Sequence, residues 1–449
     1  MNKQIKYQIF ALIIVTGAIF CSNSFAKEKK GPDKMTRISD DSLLTLIQYQ
    51  TFKYFWDGAE PNSGMARERF HTDDVYPEND KNVVTTGGSG FGIMSVLVAV
   101  ERHFITRDAG VECLVKITGF LEKADRFHGA WPHWLFGETG KVKPFGSKDN
   151  GGDIVETAYL VQGLICARNY LKTDVSKEKQ LAEKIEKLYR EVEWSWYQNG
   201  KPALYWHWSP TYNWEMNFPI KGYNECLIAY VLGASSPTYP LSPEAYHKCW
   251  ARSGKINGET TKYGYTLKLK HNGAPEYGGP LFWSHYSYLG LDPRNLKDQY
   301  ANYWDETRNH VLIDYHYCVE NPKKFKGYCP DCWGLSASYS LKGYDAHMPS
   351  NDKGVISPTA ALSSFPYTPV ESMRAARYFY EKLGDKLWGP FGFYDAFSET
   401  ENWYPSRYLA IDQGPIIVMI ENYRSQLLWK LFMQDKDVQN GLTRLGFTF

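Results

Sequence analysis

Ten segments of this chain carry apolar residues at steps of three and four, the spacing of one face of an α-helix. The first, LLTLIQYQTFKYFW (43–56), is typical of the set. No stretch alternates strands with helices, which argues against a parallel α/β fold. Many helices without a short sequence repeat favour one large α-helical toroid over a solenoid. The predicted helices span residues 43–56, 89–104, 111–127, 154–171, 178–196, 225–232, 243–251, 295–312, 370–383 and 415–432.

Long loops rich in glycine, proline and aromatic residues separate these helices, for example residues 128–141, 203–219 and 278–287. Loops of this length inside a compact domain are usually functional or disordered. Their aromatic content argues against disorder, and aromatic residues make up 16% of the chain. We therefore expect helix ends and aromatic loops to surround one central cleft.

The first 26 residues have the pattern of a secretory signal. Two lysines precede an apolar stretch at residues 9–20, and small residues stand at Ser24 and Ala26. We expect cleavage after Ala26 and export to the periplasm. Lipidation of Cys21 is a less favoured alternative, because a phenylalanine precedes that cysteine. No later segment has about 18 uninterrupted apolar residues, so we expect no membrane insertion.

The net charge and the cysteine content limit the partners and metal sites that the chain can be expected to have. A net charge of +1 gives no reason to expect a nucleic-acid partner or an anionic membrane surface. His316, Cys318, Cys329 and Cys332 resemble a zinc set only superficially, because zinc ribbons usually bring a second close cysteine pair. For the pair in GYCPDCWG (327–334) we expect a local disulfide or free thiols, and we expect no metal site.

Three acidic motifs stand where helices are predicted to begin: DNGGDIVE (149–156), KGYNE (221–225) and AIDQGP (410–415). Each carboxylate alone can be explained as a helix cap, which is an ordinary structural role. Together, within tryptophan- and tyrosine-rich sequence, they indicate an acidic cleft with aromatic walls. Such a cleft suits hydrolysis of sugar chains, which needs paired carboxylates and flat apolar surfaces.

The candidate residues follow from these motifs. Asp153 and Glu156 would share one helix face, and Asp149 adds a charge that capping does not require. Glu225 and Asp412 each open an apolar helix. The candidates for sugar binding are polar and aromatic residues near the motifs or in the long loops: His133, Trp134, His207, Trp208, Trp214, Trp283, Tyr367 and Asp395.

Other chemistries lack their motifs in this sequence. There is no G-x-S-x-G elbow, no P-loop and no H-E-x-x-H sequence. The glycine-rich segment at residues 87–90 follows no predicted strand, so a nucleotide-binding fingerprint is not indicated.

Longer motifs carry a family resemblance over residues 40–435. The chain closely resembles the bacterial glucoamylase-like glycoside hydrolases, a family that includes β-1,2-glucanases and enzymes that release sophorose from β-1,2-glucooligosaccharides. The motifs are DNGGDIVETAYLVQGL (149–164), KGYNECLIAYVLG (221–233), WGLSAS (333–338), GVISPTAALSSFPYTPVESM (354–373), GFYDAF (392–397) and AIDQGPIIVMIENYRS (410–425). The CPDC sequence is a departure that we attach to no function.

The resemblance implies an (α/α)6 barrel and anomer-inverting hydrolysis without a cofactor. We expect this barrel to be a single catalytic domain at residues 41–449, after a signal at 1–26 and a flexible segment at 27–40. The resemblance places five acids in the active site: Asp149, Asp153, Glu156, Glu225 and Asp412.

We assign Glu225 as general acid, because burial beside aromatic residues would raise its pKa. Asp412 is the expected base, since a helix start favours the ionised form, and Asp395 is its competitor. The expected substrate is β-1,2-glucan or its oligosaccharides, cleaved from one end to release sophorose by a monomeric enzyme. Endo-cleavage, an α-glucan glucoamylase and a non-catalytic glycan-binding protein remain as alternatives.

Overall fold

Helices dominate the computed structural model, which describes residues 38–77 and 80–449. The predicted signal and nearly all of segment 27–40 lie outside the described residues, and residues 39–449 form one compact unit. The α-helices are α1 (Asp40–Trp56), α2 (Thr86–Glu101), α3 (Arg107–Leu121), α4 (Ile154–Tyr170), α5 (Ser176–Arg190), α6 (Leu227–Ser235), α7 (Tyr303–Glu320), α8 (Pro358–Leu362), α9 (Pro369–Glu381), α10 (Gly384–Leu387), α11 (Ala410–Arg424), α12 (Leu427–Met433) and α13 (Lys436–Arg444).

Helices α2, α4, α6, α8 and α11 are buried on nearly all sides, as expected of helices that are apolar all round. Helix α2 lies between α4 and α11, α4 also packs on α6, and α11 packs on α8. Gly90 of α2 and Gly163 of α4 leave no room for a β-carbon where these helices cross. Two short 3-10 turns, Leu281–Ser284 and Tyr286–Tyr288, complete this inner ring between α6 and α8.

Two hydrogen bonds fix the 3-10 turns in the ring. The hydroxyl of Ser287 accepts the backbone N–H of Ile228 in α6, at 3.1 Å. The ring of His285 lies 2.9 Å from the hydroxyl of Ser364, just after α8. Outside the ring, α1, α3, α5, a π-helical turn (Ala245–Trp250), α7 and α9 each bury one face. The chain thus alternates outer and inner elements six times, which is the arrangement of an (α/α)6 barrel.

Short antiparallel strands bring several chain segments together at one end of the inner helices. Strands β2, β5 and β13 run directly into α2, α4 and α11, so each positions a helix N-terminus. The pairs are β1–β13, β2–β3–β4, β5–β6, β7–β8, β9–β10 and β11–β12. The strands are β1 (Arg69–His71), β2 (Val83–Thr85), β3 (Trp134–Phe136), β4 (Val142–Lys143), β5 (Gly152–Asp153), β6 (His207–Trp208), β7 (Asn257–Lys262), β8 (Tyr265–Leu269), β9 (Ala337–Ser340), β10 (Gly343–Ala346), β11 (Trp388–Gly389), β12 (Gly392–Phe393) and β13 (Arg407–Leu409).

Two predicted helices differ most from the structure. The helix predicted at residues 295–312 is α7, which begins only at Tyr303 because Asn302 caps it with hydrogen bonds from Trp304 and Asp305. The helix predicted at 415–432 begins at Ala410 and is divided into α11 and α12 by Gln426, whose φ is +64°. Among the described residues, no helix is both long enough and apolar enough to cross a membrane.

Candidate active site

A cavity of about 370 Å³ lies at the N-terminal ends of α2, α4 and α11. Three carboxylate side chains, those of Glu68, Glu156 and Glu225, lie on its wall. Most of the remaining wall is aromatic, as is typical of pockets that hold a sugar. The aromatic lining residues are Trp134, Phe145, Tyr159, Trp206, Phe282, Tyr286, Tyr339 and Tyr344.

Asp153 is fully buried at the N-cap of α4 and accepts four hydrogen bonds. Its Oδ1 accepts the backbone N–H groups of Val155 and Glu156, at 3.0 and 2.9 Å. Its Oδ2 accepts Nδ1 of His133 at 3.0 Å and Nε1 of Trp206 at 3.1 Å. Burial opposes ionisation of Asp153, but these donors and the nearby histidine charges outweigh it and hold its pKa below the usual range. Asp153 is therefore a charged anchor for two residues that line the cavity.

Glu156 connects α4 to α2 instead of closing its own helix end. Its carboxylate accepts the backbone N–H of Gly87, the second residue of α2, at 2.7 Å. Burial raises the pKa of Glu156 to about 7, against the opposing charge of His133. Burial also disfavours the charged form of His133, but Glu156 and Asp153 outweigh it and raise the pKa of His133 to about 9. This side of the cavity holds a protonated histidine between two acids.

Asp149 is buried beside the same group, with its Oδ2 3.3 Å from Nδ1 of His207. Ligand-type atoms of His133, Asp149 and Asp153 lie within 4.8 Å of one another, the only such set in the part of the chain that the structure describes. Both carboxylate oxygens of Asp153 already accept N–H donors. The set is therefore organised around a histidine proton rather than with its oxygens directed at a common cation.

The cysteine motif lies apart from this group. Cys329 and Cys332 flank a tight turn, exchange two backbone hydrogen bonds, and are both free thiols. His316, from the same hypothetical zinc set, stacks on the rings of Tyr263 and Tyr265.

Glu225 lies two residues before α6 and is half-buried on the cavity wall. The side chain of Asn224 accepts the backbone N–H of Cys226, the N-cap residue of α6, at 3.0 Å. The carboxyl of Glu225 is thus not used to begin the helix. Burial raises its pKa to about 7, the direction expected from the sequence. Such a group remains largely protonated up to neutral pH and can donate a proton there.

Asp412 and Asp395 form a buried carboxyl pair behind the part of the wall that holds Tyr286 and Tyr339. Asp412 is the third residue of α11, and its Oδ1 accepts the hydroxyl of Tyr286 at 3.2 Å. Asp395 accepts the backbone N–H of Tyr339 at 2.7 Å. Burial, then the charge of Asp395 and the hydrogen bond between the two carboxyls, raise the pKa of Asp412 well above its usual range. Burial also raises the pKa of Asp395 to about 7.

The expectation that the start of a helix would keep Asp412 ionised therefore needs correction. The helix dipole contributes about 1 kcal/mol at such a position, and burial beside a second carboxyl outweighs it. Two carboxyls in contact cannot both ionise easily, so ionisation of one member holds the proton on the other.

The structure separates the predicted sugar-binding residues into three groups. His133 and Trp134 line the cavity, while His207 and Asp395 lie behind it against Asp149 and Asp412. Four others pack elsewhere and do not line it. Trp208 packs on His128, Trp214 on Tyr205 and Trp283 on His271, and buried Tyr367 donates to the carbonyl of Ser284.

Several cavity residues escaped the sequence analysis. Glu68 and Arg69, an ion pair in the segment MARERFH (65–71), come from the start of β1, where no helix signal marks them. The one available signal is a run of three charged residues, Arg67 to Arg69, between apolar Ala66 and aromatic Phe70. Tyr344 reaches the cavity from the β9–β10 hairpin, and nothing local in the sequence predicts that contact.

Comparison with known proteins gives a consistent set of relatives. The family model described as "Putative glucoamylase" matches residues 217–436. The exo β-1,2-glucooligosaccharide sophorohydrolase (non-reducing end) of Parabacteroides distasonis is 47% identical over 431 residues, which cover 91% of this chain. This chain spans only 58% of the length of that curated relative.

Solved structures extend the comparison. An endo-β-1,2-glucanase from Chitinophaga pinensis, in complex with sophorotriose and glucose, is 64% identical with a TM-score of 0.91. That match covers 92% of this chain and 99% of the other. An endo-β-1,2-glucanase from Talaromyces funiculosus with sophorose is 11% identical, covers 91% of this chain and 90% of its own, and has a TM-score of 0.69. The second likeness concerns the fold alone, and together the two confirm the predicted (α/α)6 barrel.

Proposed function

This chain belongs to the glucoamylase-like family of glycoside hydrolases, and we propose that it hydrolyses β-1,2-linked glucose chains with inversion at the anomeric carbon. One observation supports the proposal above all: the carboxyl of Glu225 lies on the wall of an aromatic cavity with a pKa of about 7. The relatives named above act on β-1,2-glucan or its oligosaccharides. The cavity provides the proton donor and the apolar walls that such a reaction needs.

In the proposed reaction, Glu225 donates its proton to the glycosidic oxygen while the bond from that oxygen to the anomeric carbon breaks. Water attacks the opposite face of the anomeric carbon and transfers a proton to Asp412, which is the ionised member of the pair while Asp395 holds the other proton. Tyr286 lines the cavity and hydrogen-bonds Asp412, so it connects the pair to the reacting water. His133, Asp153 and Glu156 hold the cavity wall, with Asp149 in support.

The proposed substrate class is tested with a panel of β-1,2-, β-1,3- and α-1,4-glucans. We expect hydrolysis of the β-1,2-glucan alone, no effect of chelators on the rate, and an initial product of the α-anomer by ¹H NMR. Rapid release of glucose from soluble starch, without action on β-1,2-glucan, would favour the glucoamylase alternative. Tight binding of β-1,2-glucan without any hydrolysis would indicate a glycan-binding protein.

The cleavage mode has two candidates. Release of sophorose from one end remains our prediction, and the Parabacteroides distasonis relative is described in these terms. Endo-cleavage is favoured by the 64% identity to the Chitinophaga pinensis enzyme over 99% of its length. The product profile at early times decides: sophorose alone indicates the exo mode, and a ladder of oligosaccharides indicates the endo mode.

We also propose that the enzyme is exported to the periplasm and acts there as a monomer. The support is the signal pattern at residues 1–26, with its small residues at Ser24 and Ala26. Mass spectrometry of the exported protein should find Lys27 at the N-terminus, and sedimentation should give the mass of a single chain. A lipid on Cys21 would contradict the proposed cleavage.

A further inference from the structure

We infer that Phe145 and Phe218 form an outer glucosyl-binding subsite at the mouth of the cavity, which favours long β-1,2-glucan chains over short ones. The inference rests on the proposed function and concerns the same site. A cavity of about 370 Å³ holds only a few glucosyl units, so a longer chain must continue past its mouth.

Both phenylalanines are unusually exposed for large apolar residues, at 52% each. Exposed apolar residues are common on protein surfaces, so exposure alone has little meaning. Here each ring also lies nearly parallel to a ring that lines the cavity. Phe145 stacks on His133 with centroids 4.0 Å apart, and Phe218 stacks on Trp206 at 5.5 Å, both with planes at 25°.

The two inner rings are fixed to a single atom. Nδ1 of His133 and Nε1 of Trp206 both donate to Oδ2 of Asp153, at 3.0 and 3.1 Å. Asp153 is in turn held at the N-cap of α4 by two backbone N–H groups. The stacked pairs therefore extend outward from one buried carboxylate, and their inner rings cannot turn without breaking a charged hydrogen bond.

The two loops that carry the phenylalanines are also joined to each other. The amide of Asn150 donates to the hydroxyl of Thr211 at 3.2 Å and accepts the hydroxyl of Ser209 at 2.6 Å. Lys148 and Glu215 form an ion pair between the same loops. The rings thus belong to one connected rim, and little conformational entropy is lost when a ligand binds to a rim of this kind.

The chemistry of phenylalanine indicates what this rim recognises. Its ring offers a flat apolar face and no donor or acceptor, so it can stack on a pyranose ring without selecting a particular hydroxyl. Repeated glucosyl units of a polymer meet that condition, whereas a short oligosaccharide inside the cavity can touch the rim only at Phe145 and does not reach Phe218. The residues should therefore affect the affinity for long substrates and leave the bond-breaking step unchanged.

The test compares wild type with Phe145→Ala, Phe218→Ala and the double variant. Polymeric β-1,2-glucan and the shortest β-1,2-glucooligosaccharide that the enzyme cleaves serve as substrates. We expect the double variant to raise KM for the polymer about tenfold, with kcat within about twofold. Phe218→Ala should leave the short substrate unaffected, because Phe218 does not line the cavity. Phe449→Ala is the matched control, because Phe449 is similarly exposed at 45%. Equal changes for both substrates, or none for either, would overturn the inference.

Two additions keep the outcome interpretable. Phe145→Leu with Phe218→Leu retains apolar bulk but removes the flat rings, so it should reproduce the loss if the alanine variants fold poorly. An unchanged KM for the polymer in this leucine variant would refute stacking. If wild type hydrolyses neither substrate, the proposed function fails and the inference fails with it. A failure of the inference alone shows only in the ratio of variant to wild type.

Discussion

Asp153 and Asp412 are both buried aspartates at the N-terminal end of an inner helix, yet their pKa values are shifted in opposite directions. Asp153 receives four N–H hydrogen bonds, and its pKa is lowered. Asp412 accepts a hydrogen bond from the hydroxyl of Tyr286 and lies against the carboxyl of Asp395, and its pKa is raised. A hydrogen bond to a charged group contributes about 1.5–3 kcal/mol, against about 1 kcal/mol for the dipole of the helix. The hydrogen-bonding and charged partners of each aspartate, and not its position at a helix terminus, determine the direction in which its pKa shifts.

This difference divides the cavity into a framework side and a reactive side. On the framework side, positive His133 lies between ionised Asp153 and the carboxyl of Glu156, so charge is compensated there and the rings are held in place. On the reactive side, Asp395 and Asp412 share a proton with no lysine or arginine among the largest influences on either pKa. Glu225 has a raised pKa and no cation among the largest influences on it, which places it with the reactive groups.

The largest loss of activity is expected when the proton donor of the reactive side is removed. Glu225→Gln removes the proton while keeping the shape of the side chain, so kcat on β-1,2-glucan should fall by about 10²- to 10⁴-fold. The circular dichroism spectrum and melting temperature should match those of wild type. Exposed Glu276→Gln is the control. A Glu225→Gln variant with normal turnover would remove the general acid from the mechanism.

The next largest effect is expected within the carboxyl pair, whose two members should differ in their contribution to kcat. Asp412 contacts Tyr286 of the cavity wall, while Asp395 is tied to the backbone of Tyr339. Asp412→Asn should therefore lower kcat by at least about 10²-fold, the usual scale for a lost base. Asp395→Asn should cost about tenfold, because it changes the pKa of its partner without removing it. The reverse order of the two effects in steady-state kinetics would assign the base to Asp395.

The sequence predicted the framework of this fold because periodicity and burial agree along whole helices. Helix α4 is apolar all round, and its predicted and observed starts are both Ile154. Prediction failed where local hydrogen bonds compete with the helical pattern. Asp298 accepts the backbone N–H groups of Tyr300 and Ala301, so the segment before α7 folds as a turn despite its apolar spacing. Helix α8 has five residues, too few for any periodicity to be visible.

The residues of the candidate site also divide into those that local sequence could predict and those that it could not. Glu156, Glu225 and the other acids of helix-start motifs could be found, because the motif places them at a helix end, and helix ends meet at the cavity. Glu68 and Tyr344 arrive from a short strand and a hairpin, whose positions depend on pairing with distant segments. Trp208 and Trp214 were predicted to bind sugar because they lie in an aromatic loop. Tryptophans in a folded loop also pack against one another, and both of these contact the ring of Trp196. Local sequence does not distinguish the two uses.

A comparison of stabilities sharpens the contrast between the two aspartates. Asp153→Asn leaves protonated His133 without its closest acceptor charge, so the free energy of unfolding at pH 7 should fall by about 3 kcal/mol. Asp412→Asn relieves a repulsion within the carboxyl pair, so the same quantity should change by less than about 1 kcal/mol. Urea unfolding followed by tryptophan fluorescence measures both. Equal losses would show that burial, rather than the charge of the partners, governs the two sites.

The smallest effect concerns the pH dependence of the framework side. The pKa of His133 is about 9 in the folded protein and near 6.5 in an unfolded chain. Its stabilising contribution is therefore complete below pH 6.5 and is lost as pH rises through 9. Because Glu156 also titrates near pH 7, the relevant quantity is the difference between wild type and His133→Asn. That difference in unfolding free energy should shrink by about 1–2 kcal/mol between pH 6.5 and 9.

The control is His103→Asn, at an exposed position with φ of +58° that asparagine tolerates. Its stability should depend on pH in the same way as that of wild type. If the His133→Asn curve is also parallel to that of wild type, His133 is neutral in the folded protein, and the charge compensation that distinguishes the two sides is absent.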